Sequence, residues 1–225
     1  MTLTQSTRLT NEDASTAFLL AEHERLVQLF LDTRESAERR VTLYLTLVTG
    51  ILTALVALTQ FAGLETTLET ALAAAVGLAA LGAITFQRLL ERSMQGTEYL
   101  RALNRIHHYF VERDPALEPY LFWPPYDNLP RYDRHGVGGV ETREVVAFLN
   151  SGFSGFAVGL GLYFAFGVSI ALLILPAALV GALAFGLHIV YERRKFALEE
   201  RAKAINIRFP VPPQIILDDE AKEGE

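Results

Sequence analysis

The chain of 225 residues contains no cysteine. That excludes structural disulfides, cysteine-ligated zinc and a cysteine nucleophile together. It also lacks charge over three long stretches. Asp, Glu, Lys and Arg are absent from the 47 residues 145–191, the 24 residues 41–64 and the 18 residues 70–87. No Asp, Glu, Lys or Arg lies deep in any of them, whereas ion-coupled carriers keep a buried acid or base at their binding site. A small multidrug exporter is thereby disfavoured despite the matching size. There is no phosphate loop, GxGxxG, HExxH or GxSxG, and the G-V-G-G at 136–139 reads as a flexible turn. The chain is therefore read as a non-enzyme with no cofactor and no metal site. A net charge of -6 argues against nucleic acid as a partner.

The overall figures of 51% apolar and 20% charged residues look ordinary for a soluble domain, but they average two different materials. A helix crosses a bilayer core with about 20 apolar residues, so the uncharged runs hold four spans. These are placed at about 41–62, 69–90, 145–166 and 169–191. The longest run would measure about 70 Å as one straight helix, more than twice the hydrocarbon thickness. It must fold back, and Gly167-Val168-Ser169 is the natural corner, with Pro176 marking a kink or a first turn.

Basic residues are partitioned as sharply as the apolar ones. All 20 Lys and Arg lie in 1–40, 88–143 or 192–225, and none lies in the corners Gly63–Leu68 and Gly167–Val168. The positive-inside rule then puts both termini and the central segment in the cytoplasm. Residues 1–40 carry seven acidic and five basic residues and do not read as a secretory signal. The fold class expected is all-α: a multi-pass inner-membrane protein of four transmembrane helices arranged as two hairpins, with long helices extending into a cytoplasmic helical bundle. Its segments are a cytoplasmic N-terminal helix (1–40), a first hairpin (41–90), a cytoplasmic helix with a Pro/aromatic loop (91–143), a second hairpin (144–191) and a C-terminal helix with an acidic tail (192–225).

In the cytoplasmic part, Asn11 is placed to cap a helix that runs toward the first span. Tyr99, Leu103, Ile106 and Phe110 recur on one helical face. These helices either form a bundle or lie on the membrane surface. Between residues 114 and 139, five prolines alternate with aromatics including Trp123, Tyr126 and Tyr132. Such a segment cannot be a long helix and is expected to be an ordered loop offering a partner surface. The tail 218–225 is acidic and expected to be disordered.

Four patterns in the spans and cytoplasmic helices carry functional weight. Thr42, Thr46, Thr49, Thr53 and Gln60 fall within one narrow arc of the first span at about 100° per residue. They suit either a water-filled pathway in an oligomer or a helix–helix seam. Ser151, Gly155 and Gly159 make a small-residue face on the third span, within or between subunits. Asn150 is expected to hydrogen-bond a neighbouring helix. The histidines His23, His107 and His135 come together only by tertiary folding.

The layout resembles the SLATT and four-span effector families encoded beside nucleotide-signalling enzymes in bacterial conflict systems. A cytoplasmic helix leads through Glu38-Arg39-Arg40 into a Thr-rich span. A short acidic corner and an Ala-rich span follow, and the latter continues as the helix 91–113. The resemblance covers roughly residues 21–110 and carries no diagnostic motif. It implies a homo-oligomeric effector in the bacterial inner membrane that disturbs the membrane when a cytoplasmic trigger, a protein or a small molecule, arrives. The leading expectation is a pore or ion channel gated by the cytoplasmic bundle. The alternative is a non-conducting membrane scaffold or sensor that recruits a soluble partner through the Pro/aromatic loop.

Overall fold

The structure is a computed structural model that describes residues 3–132 and 142–212, with side chains from residue 13 onward except that of residue 170. Residues 136–139, His135 and the acidic tail lie outside the described residues. Four long helices account for most of the chain: α1 (Leu3–Phe61), α2 (Gly63–Arg113), α3 (Thr142–Phe166) and α4 (Ile170–Lys203). Short 3-10 turns follow α2 at Pro115–Tyr120 and α4 at Ala204–Asn206. No strand occurs among the described residues.

Helix α1 begins at Leu3 and passes through Asn11 without a break, so Asn11 is an interior residue and not a cap. A single residue, Ala62, separates α1 from α2. The corner is tighter than the predicted Gly63–Leu68 because Gly63 alone, at φ 77°, takes the left-handed conformation that reverses the chain. The next residues then continue as helix, with the Thr67 hydroxyl donating to the Gly63 carbonyl at 2.7 Å. Gly167, at φ 62°, does the same work after α3. Pro176 sits inside α4.

The chain divides into two compact units. The apolar unit comprises Glu35–Ser93 and His135–Ala197, and the polar unit comprises Met1–Arg34, Met94–Arg134 and Leu198–Glu225. Segments of α1, α2 and α4 contribute to both.

In the apolar unit, Val41, Tyr44 and Val48 of α1 meet Leu78, Phe86 and Leu89 of α2 and Val146 and Ala147 of α3. On α1 the seam residues recur at spacings of three and four, as one helical face requires. The outward faces are as apolar as the core: Leu43, Leu52, Val56, Ile84, Phe148, Leu172, Leu175, Leu179, Leu183 and Leu187 are all exposed. Four helical segments, within Asp13–Phe61, Gly63–Arg113, Thr142–Phe166 and Ala171–Asn206, are long and apolar enough to cross a membrane.

In the polar unit, Leu26 of α1 packs on Leu103 and Ile106 of α2, with Leu19, Val27, Tyr99 and Phe110 around them. The face read from the spacing Tyr99–Leu103–Ile106–Phe110 is therefore the one that meets α1.

Candidate functional sites

The Thr stripe lies on the outside of its own chain. Thr42, Thr46, Thr49, Thr53 and Gln60 are exposed, about 135° around α1 from the seam of Val41, Tyr44 and Val48 at ~100° per residue. Each hydroxyl is satisfied locally. Thr42 donates to the Glu38 carbonyl at 3.0 Å, Thr46 to Thr42 at 2.8 Å, Thr49 to Leu45 at 2.9 Å and Thr53 to Thr49 at 2.8 Å. With its proton spent on the backbone, each Oγ turns only lone pairs outward.

Ser151, Gly155 and Gly159 are buried and turned toward α4 of the same chain. A Cβ at Gly155 would collide with the Ala177 carbonyl oxygen and approach the Gly181 nitrogen, and one at Gly159 would come within 3.2 Å of the Ala177 Cβ. The Ser151 hydroxyl donates to the Ala147 carbonyl at 2.6 Å. Gly152 and Gly161 have nothing nearby and play no part in this contact.

Deeper in the same unit, Asn150 Nδ2 donates to His188 Nε2 at 3.1 Å, and His188 Nδ1 reaches the Ala184 carbonyl at 2.7 Å. His188 is thereby fixed between α3 and α4, edge-on to Phe86 at 4.8 Å. The Asn150 Oδ1 and the Tyr44 hydroxyl are buried without a hydrogen-bond partner among the described residues. Both crowd Gly82, where a Cβ would lie 2.5 and 2.7 Å from them. A buried ion pair, Arg143 to Glu192 at 3.2 Å, joins α3 to α4 in this unit, with Arg143 also donating to the Ser93 hydroxyl at 3.1 Å.

The polar unit holds the densest network, and spacing alone does not reveal it. Arg101, Asn104, Arg105 and His108 stand at helical intervals on α2, beside its apolar face. Together they hold the proline-rich loop and the segment after α4. Arg101 Nε donates to the Pro130 carbonyl at 3.0 Å, and its Nη2 grips the Glu200 carboxylate at 2.7 and 2.8 Å. Asn104 donates to the carbonyls of Tyr126 and Leu129 at 3.0 and 2.9 Å. His108 stacks on Phe209 at 4.0 Å between ring centres.

Asp127, 0% exposed, is the pivot. Its carboxylate accepts from Arg105 Nε at 2.8 Å and from the backbone N–H groups of Arg208 and Phe209, each at 2.9 Å. Burial alone would push this carboxyl up. The two backbone donors and the Arg105 guanidinium outweigh it and hold the group below the usual carboxylate range.

The aromatic residues of the loop separate into two kinds. Trp123 is 54% exposed and Phe122 88%, the two rings meeting edge to face at 5.1 Å; Tyr126 is half-buried. Tyr132, expected on the partner surface, is instead only 4% exposed. The Arg101 guanidinium covers its ring at 4.5 Å and its hydroxyl donates to Glu98 at 3.4 Å. An aromatic ring that stacks a cation and reaches a carboxylate gains more inside the unit than on its surface. Burial first, and then the Glu98 charge, push its hydroxyl pKa up.

Tertiary folding brings His23 of α1 and His107 of α2 together, with Nε2 atoms 3.3 Å apart. Burial, reinforced by His23, pushes the His107 pKa down. No group of three or more His, Cys, Asp or Glu positioned for a metal occurs among the described residues.

Fold and surface together define a class: an all-α protein with four helices that could cross a membrane and a second, charged helical unit. No protein-family model, curated protein or solved structure matches the chain.

Proposed function

We propose that the chain is a homo-oligomeric bacterial inner-membrane protein whose four helices insert as two hairpins and form a pore or ion channel. The polar unit and both termini lie in the cytoplasm, and the polar unit gates the pathway. In this reading the protein serves as a membrane effector, of the kind found in defence systems, released by a cytoplasmic trigger.

The observation that carries the proposal is the outward position of Thr42, Thr46, Thr49 and Thr53. A stripe of hydroxyls turned away from the chain's own core is useful where copies assemble around water. Its outward lone pairs can share hydration with a passing cation without binding it tightly. The partition of every Lys and Arg to the proposed cytoplasmic segments supports the orientation, and the exposed Leu-rich face of α4 supports lipid contact. Ion flux through liposomes holding the purified chain is the test. Wild type should conduct, and Thr49→Leu should reduce the flux at equal protein density. Absence of flux in wild type, or flux untouched by Thr49→Leu, defeats the pore.

The second reading, a membrane-anchored scaffold, draws support from the exposed pair Phe122 and Trp123. An exposed aromatic pair on an otherwise well-bonded loop fits a docking surface. Under that reading Trp123→Ala abolishes capture of a soluble partner while oligomerisation and flux are unchanged.

A further inference from the structure

Within the apolar unit, the cations at the ends of the apolar segments differ in how their charge is met. On α1, Arg39 pairs with Glu35 one turn away, and on α2, Arg88 pairs with Glu91. On α3, Arg143 is buried against Glu192 of α4 at 3.2 Å, with its guanidinium 5.1 Å from the centre of the Phe196 ring. Arg193 and Arg194 of α4 stand apart from these. Both are exposed, and neither side chain makes an ion pair or hydrogen bond among the described residues. The local sequence explains why. Glu192 is the only acid within four positions of either arginine, and it is buried and committed to Arg143. Arg40 of α1 is also exposed and unpaired among the described residues, but it has no second free cation within four positions.

The two free arginines continue an apolar face. Leu175, Leu179, Leu183, Leu187 and Val190 are exposed and recur at spacings of three and four, so they share an arc of about 120° at ~100° per residue. Arg193 and Arg194 fall within the same arc, one helical turn beyond Leu187 and Val190. Tyr191 beside them is exposed as well, and tyrosine is a residue that settles at the level of lipid headgroups. One face of α4 therefore runs from bare leucines to an aromatic hydroxyl and two uncompensated guanidinium groups.

We propose that this end of α4 is a binding site for an anionic phospholipid, with Arg193 and Arg194 on the headgroup phosphate and the acyl chains along the leucine face. The inference rests on the reading that α4 crosses a bilayer, and it names the lipid that α4 selects there. Charge and shape choose the occupant together. A soluble anion would leave the leucines uncovered, and a zwitterionic lipid would leave the positive charge uncompensated. Guanidinium forks match phosphate oxygens in geometry, and no carboxylate of the outer face of α4 competes for them.

Native mass spectrometry of the detergent-purified full chain tests it, by titration with phosphatidylglycerol and phosphatidylcholine of the same acyl chains and with soluble glycerol phosphate. A basic residue at an anionic membrane surface contributes about a fivefold gain in binding, so wild type should retain phosphatidylglycerol at least about tenfold more tightly than phosphatidylcholine. Glycerol phosphate should not be retained. The double variant Arg193→Gln, Arg194→Gln should reduce the preference to about twofold or less, with an unchanged melting temperature because neither side chain has a partner in the fold. Arg39→Gln with Arg88→Gln removes the same number of charges from cations that are already paired, and it should keep the wild-type preference. Equal retention of both lipids by wild type, equal loss of preference in the two double variants, or retention of glycerol phosphate as tight as that of phosphatidylglycerol each overturns the proposal. Flotation of the chain with phosphatidylcholine vesicles reads insertion separately. A chain that floats yet shows no preference for the anionic lipid defeats this site alone, and a chain that does not float defeats the bilayer reading with it.

Discussion

The two units solve the same problem, holding helices together, by opposite means. In the polar unit, α2 spends Arg101, Asn104, Arg105 and His108 on four carbonyls and one carboxylate of the proline-rich loop between Pro125 and Pro130. In the apolar unit, α3 and α4 approach until glycine meets backbone at Gly155, Ala177 and Gly181. The contrast follows from what each element must satisfy. A proline-rich loop leaves its carbonyls unpaired, and buried carbonyls need donors. Helices that have already paired their backbones need only contact area, and close packing at small residues supplies it.

The sharpest way to break this contrast is to fill the glycine contact. Gly155→Val places a side chain against the Ala177 carbonyl, and backbone lies on both sides. Neither helix has a flexible side chain there to yield, so the cost should reach about 3 kcal/mol or more. Gly152→Val, on the same helix with open space around it, is the control and should melt like wild type. Thermal unfolding in detergent checks both. Equal melting of the two variants would show that α3 and α4 are not held by this approach.

Next in size is the pivot of the polar unit. Asp127→Ala strands two backbone N–H groups and the Arg105 guanidinium. Removing one partner of a buried pair costs about 3–5 kcal/mol; Arg105 is partly solvated, so about 2–3 kcal/mol is expected here. Hydrogen exchange at the Arg208 and Phe209 amides should accelerate, while amides around Gly155 stay protected. Acceleration in both places would mean that the two networks unfold as one.

The sequence makes the helices legible and the networks much less so. Charge-free runs locate all four apolar segments because a helix reaches the length and apolarity needed to cross a membrane only where charge is absent over about 20 residues. The face Tyr99–Leu103–Ile106–Phe110 is readable because apolar residues recurring every three or four positions must be covered. Arg101, Asn104 and Arg105 recur with the same period, yet charged residues at that spacing ordinarily describe a solvated face. Only the loop that folds onto them makes them interior. Asp127 lies in a segment with no periodicity, and its partners Arg208 and Phe209 stand 81 and 82 residues away. His23 and His107 are 84 residues apart, and no local pattern announces such a meeting.

Acidification sharpens the comparison from the solvent side. The His107 pKa is depressed in the folded chain, so the stability its neutral form contributes is present above about pH 6.5, the unfolded value, and is lost as pH falls toward the folded value. Asp127 is also depressed, but from a carboxylate's ordinary value, so its contribution is lost only below about pH 4. Hydrogen exchange around Leu26 and Leu103 should therefore show a first loss of protection below about pH 6.5 that His107→Gln removes, and a second in the carboxylate range that it leaves alone. A single transition in the lower range would show that the His23–His107 contact does not resist protonation.

The smallest effect on stability belongs to the stripe that matters most to the proposed function. Thr49 lies outside the core and bonds only to its own helix, so Thr49→Leu should change unfolding by no more than about 0.5 kcal/mol. Val48, one residue away and buried in the seam, is the contrast, and Val48→Ala should cost about 1–3 kcal/mol. Because the chain has no cysteine of its own, Thr49→Cys introduces the sole thiol, and any disulfide it forms joins two copies. Oxidative dimers at Thr49→Cys, absent from a cysteine placed at exposed Leu183, are the result expected if the stripe meets other copies. Equal cross-linking at both positions, or none at either, would leave the Thr face turned to lipid. Its locally satisfied hydroxyls would then account for its tolerance there, and no pathway would run along it.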